Sequence, residues 1–140
     1  MRFYEVRRTI SAPPDVVWGI LTDAERLVAA DVGIARIDGR IQEGSRFTLW
    51  SDAVPGRGFR TRVARLDPPL HMEWVGGLPA GLFRGRRVFE LVPRGQSTDF
   101  SMREEFTGAL LPVIWRTMPD LQPSFDTFAS GLARASEETP

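Results

Sequence analysis

The chain contains no cysteine and only one histidine, carries no excess of charge of either sign, and has no long apolar run. Without cysteine there is no disulfide, no thiol chemistry and no thiolate metal site. One histidine cannot build a histidine-rich zinc centre, so neither a metal nor a cofactor is expected. Lysine is absent too: all 18 basic residues are arginine, against 18 acidic ones. Arginine suits planar recognition of carboxylate or phosphate, but a genome that favours arginine codons explains the bias more simply. The balance of charge argues against a nucleic acid held by general electrostatics. No apolar stretch is long enough to span a membrane, and Met1 to Val6 lacks the apolar region of a signal peptide, which makes a cytoplasmic protein the expectation. With 140 residues and no break in composition, one domain over residues 1–140 is the simplest reading.

What is present is a change of period along the chain. Arg2 to Ile10 alternates in part and predicts a strand, ended by Ser11-Ala-Pro-Pro. Ser11 as an N-cap, two prolines and Asp15 predict a short helix carrying Val16, Val17, Trp18, Ile20 and Leu21. Thr22-Asp23 closes it or caps a second short helix over Ala24 to Ala30. From Ile34 the pattern becomes short alternating runs divided by turn residues, which predicts an antiparallel meander. Its strands fall over Ile34 to Ile41, Ser45 to Ser51, Phe59 to Leu66, Leu70 to Val75, Arg87 to Val92 and Thr98 to Phe106. The order of strand, one or two helices, six strands and a terminal helix predicts an α+β domain with a seven-stranded antiparallel sheet.

The terminal stretch, Ala109 to Glu138, carries the longest apolar period. Leu111, Ile114, Met118, Leu121, Phe125, Phe128 and Leu132 fall three and four residues apart and draw one stripe along a helix. Pro112 sits harmlessly in the first turn, whereas Pro119 and Pro123 would each cost roughly 3 kcal/mol in a helix interior. Because the stripe keeps its phase through both, a kinked helix is preferred to two helices separated by a loop.

Several short segments then recur in an order that resembles a known family: Ser11-Ala-Pro-Pro-Asp-Val-Val-Trp, Gly44-Ser-Arg-Phe, Val63 with Asp67-Pro-Pro, Glu73-Trp74, Thr98-Asp-Phe, Glu105-Phe-Thr-Gly and the closing Leu121 to Leu132 stripe. Together they resemble the START-like superfamily, and within it the polyketide cyclase/dehydrase group related to the major birch-pollen allergen. The resemblance implies a helix-grip fold, in which the sheet wraps the C-terminal helix around a hydrophobic cavity. It also implies an apolar small-molecule partner: a lipid, a sterol or a polyketide. A minority of such proteins catalyse cyclisation or dehydration and one branch acts on chaperones, so the resemblance does not fix a reaction. No nucleic acid and no membrane span are expected, and homodimerisation is left open.

In such a fold the cavity would be lined by Phe47, Leu49, Trp74, Phe89, Phe100, Met102, Met118, Leu121 and Phe125. The same phase places Arg87 and Glu104 inside, on adjacent strands and within reach of one another. They are either a structural ion pair or polar anchors at the end of an apolar pocket, and the only candidates for catalysis. Arg8 is a third inward candidate. His71 alternates with Met72 and Trp74, which makes it a surface histidine rather than an acid/base group. Arg60, Arg62, Glu73, Arg86 and Glu90 read as solvated charges on the opposite face. The glycine-dense stretch Gly76 to Gly85 lacks the residues of a phosphate loop; its Leu78, Leu82 and Phe83 suggest a lid over the cavity mouth.

Overall fold

The structure is a computed structural model that describes residues 1–140. Strand β1 (Arg2–Ile10) leads into helices α1 (Pro14–Leu21) and α2 (Ala24–Ala29). A meander follows: β2 (Ile34–Gly39), β3 (Arg46–Ser51), β4 (Gly58–Asp67), β5 (His71–Leu78), β6 (Phe83–Arg94) and β7 (Ser97–Thr107). Two helices close the chain, α3 (Leu111–Thr117) and α4 (Gln122–Glu137). The seven strands form one antiparallel sheet in the order β1-β7-β6-β5-β4-β3-β2. Helices α1 and α2 therefore carry the chain from one edge of the sheet to the other.

Local chemistry explains most boundaries. Extended Pro13 precedes α1, Pro14 occupies its first turn and Asp15 adds charge there. Ser11 is not the N-cap; its backbone N–H instead donates to the Glu137 carboxylate at 2.9 Å, tying the start of the chain to the end of α4. Asp23 does cap α2, accepting from the Arg26 amide at 3.2 Å.

The terminal helix is not continuous. Met118 is extended (φ −71°, ψ 139°), so α3 ends there and α4 starts four residues later at Gln122. The cause is local: a residue before proline is pushed out of the helical region, and Met118 precedes Pro119. Pro123, by contrast, falls in the first turn of α4, where its missing N–H costs nothing. A phase-true apolar stripe thus concealed a break, and the two-helix alternative is the one observed.

Helix α4 packs on the inner face through Phe125, Phe128, Ala129, Leu132 and Ala133, all buried. Phe89 and Phe100 meet Phe128 with ring centroids 5.8 and 6.3 Å apart. Gly131 lets α4 approach the chain after α2, because a Cβ there would run into the carbonyl oxygens of Ala30 and Asp31. At roughly 2 kcal/mol for each fully buried large apolar side chain, Phe125, Phe128 and Leu132 make α4 a main contributor to the core.

Candidate functional site

Arg87 and Glu104 are directly opposite in the β6–β7 register, and Arg87 Nε donates to Glu104 Oε1 at 2.7 Å. Both side chains are about four-fifths covered (20% and 17% exposed). Gly85, two residues from Arg87 on the same face, makes room for the pair: a Cβ there would lie 2.5 Å from Glu104 Oε2. Above the pair lies the start of α4, with the Arg87 guanidinium 4.9 Å from the centroid of the Phe125 ring. Nε makes the only hydrogen bond of the Arg87 side chain within the protein. Its terminal nitrogens keep their donors.

Arg87 borders a small cavity between α4 and the inner face, about 50 Å³ in volume, with walls from Val32, Ile34, Leu49, Ser51, Met102, Ser124 and Phe128 among others. That is room for one or two water molecules, taking ~30 Å³ as the share of a water in the liquid. The nine expected lining residues accordingly divide. Leu49, Met102 and Phe125 touch the cavity. Phe47, Trp74, Phe89 and Phe100 instead fill the core, with Trp74 4.6 Å from Phe89 and 5.0 Å from Phe47 between ring centroids. Met118 and Leu121 are half-buried at the break between α3 and α4. Glu104 is turned toward Arg87 and does not line the cavity. Val32, Gly33, Ile34, Ser51, Ser124 and Phe128 also line it and were not among the expected residues. Val32 and Gly33 precede a strand and carry no periodic signal, whereas Ser124 sits one turn before Phe128 and was in principle readable as the same helix face.

A second aromatic group continues from this site toward α3. Phe125 lies 5.6 Å from Tyr4, Tyr4 stacks on Trp115 at 5.4 Å, and Phe106 lies 5.9 Å from Trp115. Trp115 is thus the sheet-facing side of α3, which covers Tyr4 and Phe106 on the inner face. Helix α3 is thinly held: only Leu111 among its residues is buried, and Val113 is 64% exposed. Gly108 (φ +125°) stands before it and extended Met118 after it, so both its ends are bends.

The stretch Gly76 to Gly85 is mostly strand rather than loop. Pairing continues to Leu78 opposite Phe83, leaving only Pro79 to Leu82 at the tip. Gly76 serves a close approach, since a Cβ there would meet the Arg60 carbonyl oxygen at 2.9 Å. Leu78 and Leu82 are exposed, while Phe83 stacks on Phe106 at 5.9 Å. The tip is tied to the start of α3 by Ala109 N–H to Gly81 O (3.1 Å) and Leu110 N–H to Leu82 O (2.8 Å).

The outer face also departs from expectation. Glu73 is only 7% exposed, not solvated. Arg86 donates to its Oε1 through Nε (2.8 Å) with Nη2 at 2.6 Å, His71 Nε2 donates to its Oε2 (2.7 Å), and Arg65 approaches at 3.7 Å. Burial works to raise the Glu73 pKa, but the bonds from His71 and Arg86 prevail and hold it below the ordinary carboxylate value. His71 is half-buried within this cluster, also facing Glu90 at 3.7 Å. The signal missed was the pairing of like faces: alternation reports the face, and only the register shows that Arg86, Arg65 and His71 converge on one carboxylate. Arg8 lies on the inner face as its phase implies, opposite Phe100, but on edge strand β1 it stays exposed and donates to Ser130 Oγ of α4 at 3.3 Å.

A curled antiparallel sheet gripping a C-terminal helix, with two short helices joining its edges, defines the helix-grip class. The chain belongs to the family described as polyketide cyclase / dehydrase and lipid transport, whose model matches residues 1–137. Solved structures with the same fold include protein MLL2253 from Mesorhizobium loti (TM-score 0.78, 20% identity, 99% of each chain covered). Norcoclaurine synthase from Thalictrum flavum is similar as well (TM-score 0.73, 12% identity, 99% of this chain and 95% of that one). So is the di-domain ARO/CYC protein BexL from the BE-7585A biosynthetic pathway (TM-score 0.74, 14% identity), of which this chain covers 47%. No curated protein matches the sequence. No helix is long and apolar enough to cross a membrane.

Proposed function

We propose that the protein binds an apolar small molecule carrying an oxygen acceptor, in the space between the inner face of the sheet and the start of α4. The observation that carries this reading is Arg87: a covered guanidinium seated on an aromatic ring, with its terminal nitrogens unpaired within the protein, on a residue that borders a cavity of mixed apolar and polar lining. A carbonyl, phenolate or carboxylate oxygen would complete it, and the apolar walls would take the rest of the ligand. The family description, which includes lipid transport, supports the same class of ligand. At about 50 Å³ the cavity is closed to anything of polyketide or lipid size, so binding requires an opening. Helix α3 is the element that opens. Its displacement uncovers Tyr4 and Phe106, which continue from Phe125 and lengthen the site.

The reading is tested by thermal unfolding against a panel of aromatic polyketides, sterols and fatty acids. A ligand that binds the native state raises Tm, and at least one class bearing an acceptor oxygen should do so. Arg87→Gln should weaken that ligand by about tenfold or more, the worth of one charge-assisted hydrogen bond. A panel that leaves Tm unmoved would remove the support for binding. A cyclase or dehydratase is the second reading, favoured by the carboxylate of Glu104 beside Arg87. It requires turnover that Glu104→Gln abolishes while binding persists. Because Arg87 and not Glu104 borders the cavity, binding is the better supported of the two.

A further inference from the structure

Exposed apolar side chains are distributed unevenly over this molecule. Of nine large ones, Leu70 and Val92 lie at the end of the sheet that carries the β4–β5 and β6–β7 turns, and the other seven lie at the opposite end. The densest part is continuous. Leu78 pairs with Phe83, Leu82 accepts a backbone bond from Leu110, and Val113 is one helical turn beyond Leu110; these four leucine and valine side chains are 37% to 64% exposed.

The segments that carry this patch, Trp74 to Phe89 and Phe106 to Pro119, hold no acidic residue, and their exposed charges are Arg84 and Arg116, with Glu105, engaged by Arg103, and Asp120 at their margins. Arg2 adds a third from the adjacent start of β1, its guanidinium 5.3 Å from the Trp115 ring. The net charge of the whole chain is zero, so this local excess is a matter of placement. Apolar side chains at a tip, flanked by Arg84, Arg116 and Arg2, match the physical profile of a protein face that meets an anionic lipid surface: the apolar groups enter the headgroup boundary and the cations meet the phosphates.

We infer that the β5–β6 tip and α3 dock on an anionic lipid membrane surface, with Leu78, Leu82, Leu110 and Val113 as the inserted groups and Arg84 and Arg116 as the phosphate contacts. The inference goes beyond small-molecule binding and does not depend on it. The two meet in one geometric fact, that the docking face includes α3, the element covering Tyr4 and Phe106.

The test is co-sedimentation of the full chain with vesicles of phosphatidylglycerol and phosphatidylcholine in equal parts, beside vesicles of phosphatidylcholine alone. The protein should pellet with the anionic vesicles, less so as salt rises, and stay in solution with the neutral ones. The double variants L82E/V113E and R84E/R116E change exposed positions only; each should lose about tenfold or more in binding, while Val92→Glu at the other end binds as wild type does. Absence of binding to anionic vesicles overturns the inference, and so does binding that L82E/V113E leaves intact. A dimer in solution that L82E/V113E converts to monomer assigns the patch to a second copy and overturns it as well.

Discussion

The two ends of the α3–α4 segment obey opposite rules. In α4 seven residues are buried and one face is locked between Phe89, Phe100 and the chain after α2. In α3 one residue is buried, and contact with the sheet runs mainly through the rings around Trp115. Both derive from one apolar stripe in the sequence. The difference shows that a stripe records which side of a helix is apolar, not how much of that side finds a partner. The buried contacts belong to α4, while α3 is the part proposed to open, with Arg87 and the small cavity beneath the first turn of α4, next to the join.

The largest loss is expected at Phe128, the centre of the α4 contact. Truncation to alanine should cost about 3–5 kcal/mol, read as a lower urea midpoint with an unchanged m-value. A loss under about 1 kcal/mol, the ordinary effect of a point change, would mean that α4 is not the anchor.

Glu73 comes next and sharpens the contrast from the other face of the sheet. Replacement by glutamine should cost about 2 kcal/mol at pH 7, less than the ~3–5 for a fully enclosed pair because Arg86 and Arg65 remain partly wetted. The sign follows from the lowered pKa in the folded state. The stabilisation from Glu73 is complete above its unfolded value of 4.5 and fades as the pH falls through the lower folded value. The gap between wild type and Glu73→Gln in urea unfolding should therefore be constant at neutral pH and narrow in acid. A gap that widens on acidification would contradict it.

A smaller effect is expected in α3. Trp115→Ala removes a half-buried ring and its stacking, and should cost about 1–2 kcal/mol while leaving the cooperative core transition in place. Val113→Ala, at an exposed position, should fall within about 0.5 kcal/mol of wild type. Equal losses from Trp115→Ala and Phe128→Ala, measured in the same urea series, would erase the distinction between the two helices.

Much of the architecture was legible because it rests on period alone: seven alternating runs, two short helices opened by Pro14 and Asp23, and an amphipathic close. The errors cluster where the chain contradicts period for a local reason. Proline at 119 governs the residue before it, so Met118 left the helix without disturbing the stripe. Glycines at 76 and 85 looked like loop residues but stand in strands, one against the Arg60 backbone and the other leaving space for Glu104. The Arg87–Glu104 pairing was readable from alternation across one turn. The convergence on Glu73 was not, because it needs three strands in register with a bulge between Val63 and Arg65. The size of the cavity was beyond reach too. Whether Phe47, Trp74, Phe89 and Phe100 enclose a void or fill it depends on side-chain packing, and here they fill it.

Ligand entry as proposed requires α3 to move while α4 stays. Native-state amide hydrogen exchange resolves the two directly, since local opening and global unfolding exchange with different free energies. Amides of residues 114–118 should exchange through a local opening well below the global stability, while those of residues 126–136 exchange only with global unfolding. Protection of α3 equal to that of α4 would show that α3 is as firmly anchored as α4 and does not open.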